Sequence, residues 1–280
     1  MFLSDKFVYV DLNKTGSVSV LNWLDALGVP SRKMMHHSKP SLEIIRSDRI
    51  KVATIRDPWS FYLSLWSYGC KHRNLSGPYN ALTKFQPHKS RGGSYGKWRA
   101  ARSLGAYLIR SLKENWSYNL YLYSDNEDPE LFRIWLGKVL DPKTATLLSG
   151  SYYGSGIHRI AGLYSYRYCN LYCQNSSALH SLGFRSVDDL IAWESENCYI
   201  DEFMQTASLG RDFTDFARRY RLVNSTFDLD SVVGQRMNMS KAKGIGITEF
   251  YDDVAVALVK EREAMIINKF DYHFDNLASC

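Results

Sequence analysis

The chain has 280 residues, 45% of them apolar and 14% aromatic, enough to bury a sizeable core and too many for a disordered polymer. A formal net charge of +6 is a moderate excess, which favours an anionic ligand without requiring a nucleic acid. No apolar run approaches the length of a bilayer-spanning helix, so no membrane span is expected.

The opening MFLSDKFVYVDLN lacks the basic and then apolar segments of a secretory leader. Five cysteines are odd in number and few for the size, which points to a reducing, cytoplasmic setting. A glycosylation sequon at Asn13 falls inside the first motif described below, where a glycan would obstruct a ligand.

Residues 6–12 form a short, mostly apolar segment with strand character. Asn13 and Gly16 then supply a turn, with Ser17 and Ser19 as candidate helix caps. Val20, Leu21, Leu24 and Leu27 follow on one helical face, and Gly28 and Pro30 end it. Residues 49–55 repeat the plan as a strand rich in β-branched side chains. Pro58 suits the first turn of a helix whose face carries Phe61, Tyr62, Leu65 and Trp66. Strand, helix, strand, helix in this order predicts an α/β fold: a single domain over 1–280 with a central parallel sheet flanked by helices.

From residue 69 to 96 the pattern stops, and glycines and prolines mixed with Lys84, His88, Lys89 and Arg91 predict a long basic loop. Residues 99–235 are expected to be mostly helical. Helices are predicted over 99–113, 128–139, 152–173, 187–196 and 203–220, and a long terminal one over 250–270. Cys169 and Cys173 stand four apart near His158 and His180, but the spacing is not that of a zinc site. Buried helix cysteines are expected instead.

The stretch 13-NKTGSVS-19 carries the first candidate chemistry. At a strand-to-helix turn, backbone N–H groups and the helix dipole favour an anion. Lys14 adds a full charge, Thr15, Ser17 and Ser19 add hydroxyls, and Gly16 and Val18 contribute close backbone. An ordinary Ser-capped helix with an exposed lysine has the same sequence. The order also differs from the nucleotide-kinase loop, since no glycine precedes the lysine. A second candidate follows at the next strand end, where the Arg56 guanidinium and the Ser64 hydroxyl on the following helix suit a phosphate.

A strand running into Lys-Thr-Gly-Ser, followed by 56-RDPWSFYLS-64, resembles the sulfotransferases that use 3′-phosphoadenosine 5′-phosphosulfate (PAPS). The likeness is nearest to the carbohydrate branch of the heparan-sulfate 2-O type and its bacterial relatives. The segment 36-HHSKPSLEI-44 and the late 238-NMSKAKGIGITEFYDDVAVALV-259 and 270-FDYHF-274 add to it, while residues 70–235 match only loosely. The resemblance implies a phosphate-loop-like fold, PAPS as donor, 3′-phosphoadenosine 5′-phosphate as product and no metal requirement. It implies in-line transfer to a hydroxyl of a glycan or small molecule, with no nucleic acid and no membrane span.

The implied roles are then specific. Residues 14–19 would hold the 5′-phosphosulfate, with Lys14 neutralising the leaving phosphate, while Arg56 and Ser64 would hold the 3′-phosphate. His37, or second His36, would be the general base. The late loop carrying Lys241 and Lys243 would close on the cofactor. His158, Arg159, Lys89 and Arg91 would face the acceptor, and oligomeric state is not readable. Two rivals remain: an ATP-dependent phosphate-loop kinase, and a non-catalytic module binding glycan or nucleic acid through 84-KFQPHKSRGGSYGKWR-99.

Overall fold

A computed structural model of the chain describes residues 1–30, 32–33, 36–88, 97–223, 228–234 and 246–277. Where the sequence leads to one domain, the chain forms two compact units. The first comprises Met1–Asp57, Tyr168–Gln174 and Glu196–Met239, and the second Pro58–Arg167, Asn175–Ser195 and Ser240–Cys280.

The first unit is built on a sheet of five strands. They are β1 (Phe2–Leu3), β2 (Phe7–Val10), β3 (Arg32–Lys33), β4 (Ile50–Ile55) and β5 (Glu202–Gln205), in the order β3-β1-β2-β4-β5. β2 runs parallel to β4, with Val10 opposite Ala53, and β4 runs parallel to β5, with Ile55 opposite Gln205. β1 is antiparallel to both β2 and β3. The sheet is therefore mixed, which corrects the expectation of a wholly parallel one. β1 and β3 are two residues each, too short to leave a period-2 pattern. β1 turns directly into β2, where the Ser4 N–H donates to the Phe7 carbonyl at 3.0 Å and the Phe7 N–H to Ser4 Oγ at 3.0 Å.

All four residues of β2 are buried without alternation, as in a strand covered on both faces. Helix α1 (Ser17–Ala26) contributes Val20, Trp23 and Leu24 to this core, and helix Leu209–Arg219 contributes Phe213, Phe216 and Ala217. Trp23 packs on Phe213 with ring centroids 5.0 Å apart, and Phe7 meets Phe216 edge-on at 5.1 Å. The helix predicted over 203–220 is thus a strand followed by a helix. Four residues of β5 are too few for their period to stand out beside the strong helical pattern that follows.

The second unit is helical. Helix Pro58–Lys71 begins at the expected proline and buries Phe61, Tyr62, Leu65 and Trp66. Trp66, Phe132, Phe250 and Tyr251 form an aromatic cluster, with Phe132–Tyr251 centroids 5.0 Å apart and Trp66–Phe132 at 5.4 Å. Within the predicted loop of 69–96 the helix Gly77–Thr83 forms, started by Ser76, whose side chain accepts from the Tyr79 N–H. The single helix predicted over 152–173 is instead Gly150–Ser155, a 3-10 turn at Ile157–Arg159 and Leu163–Tyr172. Gly156, with φ of 79°, ends the first piece as a left-handed cap.

A buried pair of opposite charges holds this break. Arg262 donates to the carbonyls of His158, Arg159 (3.3 Å) and Ala161 (2.8 Å). Glu263 accepts from the N–H groups of Tyr164 (3.2 Å) and Ser165 (2.9 Å), from Ser165 Oγ (2.6 Å) and from the Tyr62 hydroxyl. Cation on carbonyls and carboxylate on helix-start amides is the arrangement the peptide dipoles favour. The pair also interrupts the terminal helix, which runs as Asp253–Arg262 and Ala264–Phe270.

Gly162 lies so close that a Cβ there would overlap Glu263 Oε1. Glu263→Ala leaves several interior donors without an acceptor, and we expect a loss of about 3 kcal/mol or more in urea unfolding. Gly162→Ala should destabilise comparably, while Glu263→Gln, which keeps one acceptor oxygen, should lose less.

Candidate functional site

Parallel pairing of β2, β4 and β5 brings their C-terminal ends to one edge of the sheet, the edge at which open α/β sheets bind ligands. Lys14 lies in the loop from β2 to α1, and Arg56 is the first residue after β4. The Arg56 guanidinium donates through Nη1 to the Lys14 carbonyl at 3.3 Å, so the two strand-end cations are brought together.

The loop is shaped by backbone that other residues avoid. Lys14 has φ of 68° and Gly16 has φ of 88°, both left-handed. For Gly16 the requirement is double, because a Cβ would also lie 2.6 Å from Leu209 Cδ2. For Lys14 the conformation costs on the order of 1–3 kcal/mol, the kind of strain that accumulates at ligand sites. Gly16 is the N-cap of α1, and no side chain caps the helix, so its partial positive charge adds to the two cations.

A chain of hydroxyls fixes the loop from beneath. Thr15 Oγ1 donates to the Leu12 carbonyl at 2.8 Å and lies 2.7 Å from Thr54 Oγ1, which in turn lies 2.9 Å from the Tyr9 hydroxyl. Tyr172 donates to the Thr54 carbonyl at 3.0 Å. The Thr206 hydroxyl, just after β5, sits between the carbonyls of Thr15 (3.1 Å) and Ile55 (2.9 Å). Thr15 is therefore a rivet of the loop, with its hydroxyl turned inward rather than toward a ligand. Ser17 is buried, Ser19 is half-buried and Val18 is exposed.

Burial, and then the charge of Arg56, pull the Lys14 ammonium down to about 8. A bound anion opposes both effects, because its negative charge favours the protonated ammonium.

Asp11, the residue directly after β2, organises a second group. His36 Nδ1 lies 2.9 Å from Asp11 Oδ2, and His37 Nδ1 lies 2.9 Å from the Asp11 carbonyl oxygen. The His37 N–H and the Met1 amine also donate to Oδ1 of Asp11. Burial by itself would raise the Asp11 carboxyl, but hydrogen bonds from the terminal amine and His36, with the nearby charges, hold it below the usual aspartate range. Both rings are exposed, and His37 has φ of 54°. With Nδ1–H donating inward, each ring turns a basic Nε2 outward. Sequence reasoning missed Asp11; its position at a strand's C-terminal end, three residues before Lys14, was the available signal.

The remaining predicted residues are placed differently. Ser64 is buried in the second unit on helix Pro58–Lys71. His158 is buried against Tyr152 and Tyr153, and burial, then the charges of Arg159 and Arg262, push it down to about 4, so it is neutral. Arg159 is exposed, and its carbonyl belongs to the Arg262 clamp. Lys89, Arg91, Lys241 and Lys243 lie outside the described residues. Cys169 and Cys173 are both buried, the former on helix Leu163–Tyr172 and the latter directly after it. Among the described residues, no helix is long and apolar enough to cross a membrane and no group of three or more His, Cys, Asp or Glu could hold a metal.

No protein-family model matches the chain, and no curated protein or solved structure matches it either. What the site can do rests on its own chemistry: paired cations beside a helix N-terminus, and imidazoles oriented by a buried carboxylate.

Lys14, like Lys39, is pulled down to about 8 and should titrate below the other lysines, and a Lys14→Met variant identifies which signal belongs to Lys14. After reductive methylation with labelled formaldehyde, its NMR signal is expected to move with a midpoint near pH 8, and Arg56→Ala should raise that midpoint. The sign for stability follows. The folded value lies below the unfolded 10.5, so the unfolded chain binds more protons between about pH 8 and 10.5. The Lys14 contribution to unfolding free energy therefore becomes more favourable as pH rises through that window, and a Lys14→Met variant should lose this rise.

Proposed function

We propose that the first unit binds the phosphates of PAPS and that the protein is a sulfotransferase acting on a hydroxyl of a carbohydrate or small metabolite. One observation carries the reading: Lys14 and Arg56 meet at the ends of adjoining parallel strands, in a loop whose backbone is strained. Two neighbouring cations, one pulled down to about 8, favour a ligand that brings negative charge. The residues fit such a donor. Lys14, the N-terminus of α1 and the Arg56 fork can hold phosphate oxygens, and the order of motifs along the chain resembles that of the PAPS-dependent enzymes.

When bound, PAPS supplies the sulfuryl group. Lys14 and the amides that open α1 stabilise negative charge held at the loop. A histidine takes the acceptor's proton on Nε2. We assign this role to His36, because Asp11 Oδ2 lies 2.9 Å from its Nδ1 and 3.4 Å from that of His37, whose closer partner is the Asp11 carbonyl oxygen at 2.9 Å. Asp11 is a positioning residue that fixes both rings.

The test is ligand-induced stabilisation. 3′-Phosphoadenosine 5′-phosphate at one hundred times its Kd adds about 2.7 kcal/mol and raises Tm accordingly. ATP at the same concentration should do so much less, and the reverse ranking would point to a kinase. In a labelled-sulfate transfer assay over glycans and small alcohols, His36→Ala should cut turnover by roughly 10²–10⁴ while leaving nucleotide affinity near wild type. If His37→Ala alone has that effect, the two histidines exchange roles.

A further inference from the structure

Away from the cation site, the first unit holds two thiols in a distinctive backbone setting. Cys173 directly follows helix Leu163–Tyr172, and Cys198 directly follows helix Val187–Asn197. The two form an isolated antiparallel bridge. The Tyr199 N–H donates to the Tyr172 carbonyl at 3.0 Å, and the Gln174 N–H to the Asn197 carbonyl at 2.8 Å. These bonds flank the cysteines on either side and do not join them. The pair therefore occupies the non-hydrogen-bonded register, where Cα atoms are about 4.5 Å apart and side chains approach most closely.

A disulfide needs Cα atoms roughly 4.4–6.8 Å apart with Cβ vectors that meet. The bridge register of residues 173 and 198 is the one whose spacing falls in this range. Cys169 does not compete for Cys173, because residues four apart on a helix keep their Cβ atoms about 5–6 Å apart, beyond the disulfide range. Access and surroundings also differ between the two. Cys198 is half-buried, with the Tyr168 hydroxyl 3.5 Å from its Sγ, while Cys173 is buried. The Lys39 ammonium donates to the carbonyls of Cys173 and Gln174, the latter at 2.8 Å, which places a cation beside Cys173.

We propose that Cys173 and Cys198 are an oxidisable pair that closes to an intramolecular disulfide by exchange with a small-molecule disulfide such as oxidised glutathione. The Cys198 thiolate attacks one sulfur of that disulfide, forming a mixed disulfide and releasing one thiolate. The Cys173 thiolate then attacks Cys198 Sγ, forming the internal bond and releasing the second. The two protons given up by the cysteines pass through solvent to the released thiolates, so the reagent leaves as two thiols. The bond ties Tyr172, which holds Thr54, to the segment that leads into β5 and Thr206, so it braces the hydroxyl chain behind Lys14.

The full-length protein is incubated with oxidised glutathione, its remaining thiols are alkylated, and the digest is mapped by mass spectrometry. The expected product is a peptide pair joining Cys173 to Cys198 with two hydrogens lost, reversed by dithiothreitol. Cys169→Ser should leave it unchanged. Cys198→Ser should remove it, and Cys198→Ala serves in its place if the serine variant fails to melt cooperatively. Full alkylation of both residues after oxidation would overturn the assignment. So would a persistent glutathione adduct on Cys198, or a bridge from Cys173 to any other cysteine.

Discussion

Two like charges held side by side are the constraint around which the first unit is organised. Burial first, and then the charge of Arg56, pull Lys14 from 10.5 to about 8, a cost to its charged form on the order of 3 kcal/mol. Strained backbone at the same residue adds to the cost. A fold keeps such a place only if its surroundings over-determine it, and they do. Thr15, Thr54, Tyr9 and Thr206 form a hydroxyl chain that binds three strand ends to the loop. Leu209 packs where Gly16 has no side chain. Rigidity beneath and charge above is the division of labour expected of a preorganised anion site.

The second unit handles charge in the opposite manner. Arg262 and Glu263 are both buried, and each is answered by backbone: carbonyls for the guanidinium, amides for the carboxylate. Burial pushes the Glu263 carboxyl up, and its several donors work against that shift. The arrangement answers the carboxylate and both terminal guanidinium nitrogens from within the protein. The contrast is between a charge pair that stitches a chain break and a cation pair held at the ends of parallel strands.

How much of this could be read from the sequence varied with the length of the pattern. The strands at residues 6–12 and 49–55 and the helices after them were legible, because Val20 and Leu24, then Phe61, Leu65 and Trp66, repeat at helical spacing. β1 and β3 were not, since two residues carry no period. The breaks at Gly156 and Glu263 were hidden for another reason. Each depends on partners distant in sequence, such as the Gly162 amide on the Arg262 carbonyl at 2.6 Å. In the site, Lys14, Gly16 and Arg56 could be found from their place at strand ends. Asp11 stood at a strand end as well and was overlooked, while Thr206 could not be found, because its role arises only when β4 and β5 lie beside the loop. The Thr15 hydroxyl is used by the protein, on the Leu12 carbonyl and Thr54, a pairing that needs the sheet to be assembled first.

The central claim is that Lys14 and Arg56 grip one ligand together. A double-mutant cycle on the affinity for 3′-phosphoadenosine 5′-phosphate, measured by calorimetry at pH 7, tests it most directly. The account predicts at least a tenfold loss for Lys14→Ala and for Arg56→Ala, and a double variant that departs from the product of the two. Wild-type affinity in both single variants, with the fold intact, would contradict it.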